Sequence, residues 1–125
     1  KGVLVLCYMS HKGAAEGYGQ MVLDSKTGKP KAQYEVFADR ALNWRADGLI
    51  VGATYPEKIS KVREIVKGEI PVYSPGVGVQ GGDVEAAIKA GASYPIIGRS
   101  IYSADDPREA SRTFRERVRK LMMKG

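Results

Sequence analysis

The sequence predicts an α/β protein in which a parallel sheet is covered by helices. Four short apolar runs, at residues 3–7, 48–52, 70–73 and 94–97, are separated by longer stretches with helical or turn character. Continuous apolar runs of this length are typical of strands that are buried on both faces. Strand–helix alternation repeated four times indicates parallel pairing, because a parallel crossover needs a connection long enough to hold a helix.

The first run ends in a polar loop at residues 8–13, and residues 14–23 can form a helix despite two glycines. After a polar turn at residues 24–30, a longer helix is predicted over residues 31–45. Trp44 lies near the end of this helix and is expected in the core or at an interface. The apolar stripe of the helix recurs at helical spacing and comprises Tyr34, Phe37, Ala38, Ala41 and Leu42.

Each of the other strands is followed by a predicted helix. Thr54 and Glu57 have the spacing of a capping box, which predicts that a helix starts there. Asp83 is expected to cap a short helix, and Asp106 with Pro107 to begin the last one. The last helix is predicted to bury one face, made of Ala110, Phe114, Val118, Leu121 and Met122.

The composition is that of a globular protein, with 43% apolar and 27% charged residues. No apolar run approaches the roughly 20 residues of a membrane span, and no signal peptide is visible. The single Cys7 cannot form an internal disulfide, which fits a reducing compartment, so we expect a cytoplasmic protein. The net charge is +6, but seven basic residues fall within residues 108–124. This indicates a solvated helix face rather than a nucleic-acid surface.

Two glycine-bearing loops follow the third and fourth predicted strands. Residues 74–82 contain four glycines and one proline, and residues 97–100 read Ile-Gly-Arg-Ser. A strand, a glycine-rich turn and a helix start together present backbone N–H groups to an anion. Arg99 adds a guanidinium group that can hold two phosphate oxygens. The two loops are predicted to bind a phosphate monoester together.

Two architectures fit this order of elements, an open doubly wound sheet and half of a (β/α)₈ barrel. Four units in 125 residues amount to half of the roughly 250 residues of a full barrel. The phosphate site of a barrel is frequently built from the loops after strands 7 and 8. The count therefore favours the C-terminal half, (β/α)5–8, and we expect residues 1–125 to form one such unit without an internal linker.

Three motifs of the chain resemble orotidine 5′-phosphate decarboxylase in its archaeal form. They are Met9 to Gly13, Pro75 to Asp83, and Ile97 to Tyr102. Their order and spacing match the second half of that family, and the resemblance covers essentially the whole chain. It implies an enzyme of pyrimidine biosynthesis that converts orotidine monophosphate to uridine monophosphate and CO₂. It also implies that no metal and no organic cofactor take part, and that the full enzyme is a homodimer.

The resemblance also implies which residues bind the substrate. Ser10 matches the serine that contacts the amide edge of the pyrimidine, and Gln80 matches the glutamine between the phosphate and the pyrimidine carbonyl. Pro75 matches a residue that lines the pyrimidine pocket. The substrate-binding set predicted in this way is Ser10, Pro75, Gly76, Gln80, Gly98 and Arg99.

The family's catalytic Lys/Asp network has no counterpart that we identify in this sequence. It includes an Asp-x-Lys-x-x-Asp motif on strands of the first half of the family's barrel. The nearest match, residues 24–29, lacks the second Asp and falls in a predicted turn. We therefore predict no catalytic residue in this chain and no decarboxylation by the chain alone.

Several explanations of such a chain stay open at this point. It can be the remainder of a longer enzyme, as the missing initiator Met suggests, an engineered half barrel, or a natural protein that only binds nucleotides. A related sugar-phosphate decarboxylase or synthase barrel is a further alternative. Half a barrel exposes two strand edges and one apolar face, so we predict association with the missing half or with a second copy.

Overall fold

The structure is a computed structural model, and it describes residues 1–124. Twelve elements follow one another along the chain. The strands are β1 (Leu4–Tyr8), β2 (Met21–Leu23), β3 (Pro30–Ala32), β4 (Gly48–Val51), β5 (Val72–Pro75) and β6 (Tyr94–Ile96). The helices are α1 (Ala14–Gly17), α2 (Gln33–Asn43), α3 (Pro56–Ile65), α4 (Val84–Lys89), α5 (Arg99–Tyr102) and α6 (Pro107–Met123).

The main sheet distinguishes between the two predicted architectures. It has four parallel strands in the order β1-β4-β5-β6, which is the order of the chain. A doubly wound sheet reverses its strand order at a switch point, whereas a barrel adds each strand beside the previous one. Right-handed crossovers in one direction put all helices on the same face. The fold is therefore half of a (β/α)₈ barrel, as the sequence predicts.

The core lies between the sheet and the helix layer. Cys7, Leu49, Val51 and Val72 point from the sheet into this layer and are fully buried. The helices contribute further buried residues, among them Tyr34, Ala38 and Ala41 of α2, Ile59 and Val62 of α3, and Val84 and Ala87 of α4. Burial in this apolar core raises the pKa of the Cys7 thiol to about 12, which keeps the thiol protonated and unreactive.

The other face of the sheet, here called the open face, is not covered by any element within residues 1–124. Side chains alternate along a strand, so the paired residues Leu6, Ile50, Tyr73 and Tyr94 all lie on this face. Tyr73 and Tyr94 stack with ring centroids 4.9 Å apart. Leu6 and Tyr94 of this row are exposed, and so are Leu4 and Ile96 on the same face. In a closed barrel such residues fill the interior.

A β-hairpin replaces part of the first predicted helix, so the prediction of a helix over residues 14–23 was wrong. Only residues 14–17 are helical, and β2 pairs with β3 in antiparallel fashion. The two glycines at 17 and 19 weaken helix continuation, and the polar turn at 24–30 then brings the strands together. Asp24 stabilises that turn, because its carboxylate accepts from the Lys26 N–H at 3.0 Å and from the Thr27 hydroxyl at 3.0 Å.

Two of the three predicted helix caps are present in the structure, and one is not. Tyr55, not Thr54, is the N-cap of α3, and no side chain caps it. Asp83 and Asp106 do cap α4 and α6, accepting from Ala86 N–H at 2.8 Å and Glu109 N–H at 3.0 Å.

None of the residues of α6 is fully buried, because the helix covers the end of an unfinished sheet. Phe114 and Val118 are half-buried against the core, whereas Met122 is exposed. Trp44 is 66% exposed, which excludes the predicted place in the core of this chain. Among residues 1–124, no helix combines the length and the apolar character needed to cross a membrane.

The Asp24 turn generates a prediction on pH dependence. The Lys26 N–H first, and then the Thr27 hydroxyl and the Lys31 charge, lower the pKa of Asp24. A lowered pKa adds stability above the unfolded-state value, about 3.9, and this contribution is lost as the pH falls through the folded-state value. Chemical denaturation of the wild type and Asp24→Asn should therefore show the largest difference near neutral pH. A difference in the free energy of unfolding that grows toward pH 3 contradicts the assignment.

Candidate functional site

The candidate site lies where the carboxyl ends of the parallel strands meet at one edge of the sheet. The loop after β1 carries Ser10, and the loop after β5 carries Gly76 and Gln80. Gly98 follows β6, and Arg99 is the first residue of α5. Parallel strands direct all these loops to the same side. The sheet thus brings Ser10 and Arg99, which are 89 positions apart in the sequence, to the same site.

One hydrogen bond connects the first of these loops to the second. The Ser10 hydroxyl donates to Oε1 of Gln80 at 2.7 Å. With the amide in this orientation, Nε2 of Gln80 keeps its two N–H donors, and the Ser10 oxygen keeps its acceptor capacity. The pair therefore presents both donors and acceptors, which suits the recognition of an amide-like edge.

The glycine loop of residues 76–82 is folded onto itself. The Gly78 N–H donates to the Gly82 carbonyl at 2.8 Å, the Gly81 N–H to Gly78 at 2.7 Å, and the Gly82 N–H to Gly76 at 3.0 Å. These three N–H groups satisfy carbonyls of the loop, so they do not serve as the free anion cradle that the glycine content suggested. Instead these hydrogen bonds fix the backbone on both sides of Gln80 and so hold this residue in place.

Gly76 and Gly78 are required by close approach as well as by backbone conformation. Both have positive φ, 91° and 83°. A Cβ at Gly76 would lie 2.6 Å from Cβ of Ser10 and 2.7 Å from Oε1 of Gln80. A Cβ at Gly78 would lie 2.1 Å from the Ser100 hydroxyl oxygen. The missing side chains therefore allow the loops after β1, β5 and β6 to pack against one another.

A cavity of about 270 Å³ opens between the loops after β5 and β6. It brings together five of the six residues predicted to bind substrate, namely Pro75, Gly76, Gln80, Gly98 and Arg99. Ser10 does not line the cavity but reaches it through Gln80. Val77, Val79, Ile96 and Tyr102 complete the lining. Arg99 is exposed and forms no ion pair within residues 1–124, so its charge is available to an anion.

The loop after β4 supports the site, and the sequence did not identify it. The Thr54 hydroxyl donates to the Ser10 carbonyl at 2.8 Å, and the Ala53 N–H donates to the Pro75 carbonyl at 2.8 Å. Gly52 has no room for a side chain, since its Cβ would lie 2.6 Å from Cα of Ser10. The sequence analysis interpreted Thr54 as the cap of a helix. A threonine three residues before a glutamate looks the same in the sequence whether its hydroxyl caps a helix or bonds to a neighbouring loop.

Tyrosine side chains lie beneath the Ser10 loop. A register irregularity between Leu6 and Tyr8 turns the Tyr8 ring into the helix layer, where it lies 5.0 Å from the ring of Tyr55 and 5.5 Å from that of Tyr34. The Tyr55 hydroxyl donates to the carbonyl of His11 at 3.0 Å. These contacts fix the backbone that follows β1. The His11 side chain itself is exposed.

The part of the chain that the structure describes contains no cluster of side chains suited to binding a metal ion. No group of three or more His, Cys, Asp or Glu side chains comes together there.

Residues 24–29 form the hairpin turn, and the Asp24 carboxylate also lies 3.9 Å from the Lys31 ammonium group. The interpretation of this segment as a turn is therefore correct.

Two glycine substitutions separate crowding from backbone strain in the glycine loop. Gly76 and Gly81 both have positive φ, but nothing lies within 4 Å of a Cβ at Gly81. Alanine costs about 1–2 kcal/mol for the conformation at either position, and crowding at Gly76 adds about 1–3 kcal/mol. Urea denaturation should therefore show Gly76→Ala to be less stable than the control Gly81→Ala. Equal losses would mean that the loop moves freely away from Ser10.

Comparison with known proteins identifies the family. The family model described as "Orotidine 5'-phosphate decarboxylase / HUMPS family" matches residues 1–114. The orotidine 5′-phosphate decarboxylase of Methanosarcina acetivorans is 40% identical over 118 residues, which are 94% of this chain and 48% of the relative. That of Ralstonia pickettii is 44% identical over 108 residues, covering 83% of this chain and 37% of the relative.

Solved structures agree with the sequence comparisons. The orotidine 5′-phosphate decarboxylase of Pyrococcus horikoshii OT3 superposes with a TM-score of 0.75 at 34% identity, covering 94% of this chain and 51% of that one. The Methanocaldococcus jannaschii enzyme, solved with the inhibitor BMP, gives 0.77 at 28% identity over 94% and 50%. The chain spans about half the length of the relatives it matches, as half a barrel should. It belongs to the orotidine 5′-phosphate decarboxylase family.

Proposed function

We propose that this chain is the phosphate- and pyrimidine-binding half of an orotidine 5′-phosphate decarboxylase, a lyase of pyrimidine biosynthesis. The observation that carries the proposal is the hydrogen bond between Ser10 and Gln80 beside the cavity that Arg99 lines. It joins an amide-recognising pair to a phosphate-binding group at one edge of the sheet. The ligands proposed are orotidine monophosphate and uridine monophosphate.

Each residue of the site has a chemical task in this proposal. Arg99 holds two phosphate oxygens, since a guanidinium group matches that geometry. Gln80 donates from Nε2 toward the ligand while Ser10 fixes its Oε1. Ser10 accepts from a ring N–H of the pyrimidine, and Pro75 lines the apolar side of the cavity. The Gly98 backbone approaches the phosphate from the same loop as Arg99.

The decarboxylation itself is assigned to a lysine and aspartates outside this chain. In the reaction the bond between the pyrimidine ring and its carboxylate breaks, CO₂ leaves, and the ring carbon receives a proton from the lysine. This chain supplies binding and orientation, which lower the barrier only when the proton donor is present. The nearest match to the Lys/Asp motif is the hairpin turn at residues 24–29, and none of these residues lines the cavity.

Turnover and binding should separate in this chain. We expect no release of labelled CO₂ from carboxyl-labelled orotidine monophosphate above the uncatalysed rate. Uridine monophosphate should still bind weakly, as titration followed by NMR would detect. Arg99→Ala and Gln80→Ala should each weaken that binding by about tenfold or more, because each removes a direct hydrogen-bonding group.

Arg40→Ala is the control for the loss of positive charge, since this exposed residue of α2 lies outside the site. Measurable decarboxylation by the chain alone would refute the assignment of the lysine. Unchanged nucleotide binding in both site variants would refute the site.

We also propose that the open face is covered in the functional protein, either by the complementary half or by a second copy where that half is missing. Exposed Leu4, Leu6, Tyr94 and Ile96 on this face, together with the free edges of β1 and β6, are the reasons. A cytoplasmic location, a single unit over residues 1–125 and a homodimer of the full enzyme stay predictions of the same proposal.

Sedimentation measurements test the covering of the open face. The wild type should associate at micromolar concentration, and Leu6→Lys combined with Ile96→Lys should favour the monomer while retaining the circular dichroism spectrum. Burying a lysine in an apolar interface without a partner is unfavourable. Leu23→Lys is the control, because Leu23 is 72% exposed on the hairpin. A wild type that stays monomeric would contradict the proposal.

A further inference from the structure

Helix α6 has one flank with balanced charges and one without. On the balanced flank, Arg117 lies 3.5 Å from Asp83 and 4.0 Å from Glu85 of the α4 region. On the opposite flank four exposed arginines recur at the spacing of one helix face: Arg108, Arg112, Arg115 and Arg119. Of these four, only Arg112 has an acidic partner within 4.0 Å among residues 1–124, namely Glu109.

An apolar groove follows the arginine flank. It has a volume of about 570 Å³ and lies between α6, α5 and β6. Its apolar lining is Pro95, Ile97, Ile101, Phe114, Val118, Met122 and Met123. Arg115 and Arg119 also line it, so guanidinium groups stand directly beside apolar surface.

The groove is at the unfinished end of the sheet. Among residues 1–124, β6 has β5 on one side and no strand on the other, and residues of β6 and α6 line the groove together. In a (β/α)₈ barrel each helix is followed by another helix along the outer ring. The chain spans about half the length of its relatives, which is the share that half of a (β/α)₈ barrel represents.

We propose that this groove binds an amphipathic helix that has carboxylates flanking its apolar face and that belongs to another polypeptide segment. The apolar side of that helix covers Phe114, Val118 and Met122, and its carboxylates pair with Arg115 and Arg119. The proposal rests on the proposed half-barrel function, and it specifies the chemistry of the partner. Charge complementarity then selects the correct partner and orients it.

A second copy of this chain does not fit the groove. Packing α6 against α6 brings arginines against arginines, since α6 carries six basic and two acidic residues. The most acidic long helix of the chain is α2, but its Tyr34, Ala38 and Ala41 are already buried. Asp39 of α2 is engaged by Lys31. The apolar residues Ile59 and Val62 of α3 are also buried, and Glu64 of α3 pairs with Lys61. No long helix of residues 1–124 therefore combines a free apolar face with free carboxylates.

A nucleic acid also fits poorly, because its phosphates can use the arginines but not the groove. Phosphate backbones bind exposed arginines without any need for adjacent apolar surface. The apolar lining beside Arg115 and Arg119 favours a ligand that is itself apolar on one side.

The experiment uses the full chain and two synthetic 18-residue amphipathic peptides with leucine and alanine on one face. One peptide carries glutamates beside that face, and the other has lysine at each of those positions. Fluorescence anisotropy should show the glutamate peptide binding about tenfold more tightly than the lysine peptide, with affinity falling as salt rises. Arg115→Glu with Arg119→Glu should reverse this preference.

Lys120→Glu with Lys124→Glu is the matched control, because both residues lie away from the groove, and it should keep the preference of the wild type. Equal affinity for the two peptides, or no effect of the Arg115 and Arg119 changes, would overturn the proposal. Tighter binding of a labelled DNA duplex than of the glutamate peptide would overturn it in favour of a polyanion surface. Uridine monophosphate binding by the same variants gives an independent result, so failure of the nucleotide site and failure of the groove are distinguishable.

Discussion

The four parallel strands run in the order of the chain, and this single constraint organises everything else. It puts the crossover helices on one face of the sheet and the loops that follow the strands at one edge. The first consequence is a core between sheet and helices, in which Leu49, Val51 and Val72 are fully buried. The second is a site, because loops distant in sequence meet at that edge. The third is an uncovered apolar face, which a complete barrel would enclose.

The site depends on tight packing between backbones more than on the number of free donors. Gly76 lies so close to Ser10 that no side chain fits, and that closeness allows the hydrogen bond between Ser10 and Gln80. The internal bonds of the glycine loop use three of its N–H groups. Arg99 therefore has the main share of phosphate binding in the proposed function, and Thr54 positions Ser10 from a neighbouring loop.

The open face and the α6 groove represent two different kinds of unfinished surface. The open face is apolar across the strands, so any apolar sheet of suitable curvature could cover it. The groove combines apolar lining with Arg115 and Arg119, which restricts the partner to one with carboxylates in the right places. Burial of the apolar open face therefore drives association, and the arginines of the groove select the partner.

The sequence by itself determined the four parallel strands, the long helices and the caps at Asp83 and Asp106, because hydrophobic periodicity and capping chemistry are local properties. Its motifs also determined the family and five of the residues that now line one cavity. The hairpin at residues 21–32 was missed because short strands carry a weaker signal than a possible helix. Only the tertiary structure decided that Thr54 supports Ser10 rather than a helix start, that Trp44 is exposed, and that one flank of α6 carries unpaired charge. Those properties depend on which distant segments lie beside a residue, and neighbouring sequence does not contain that information.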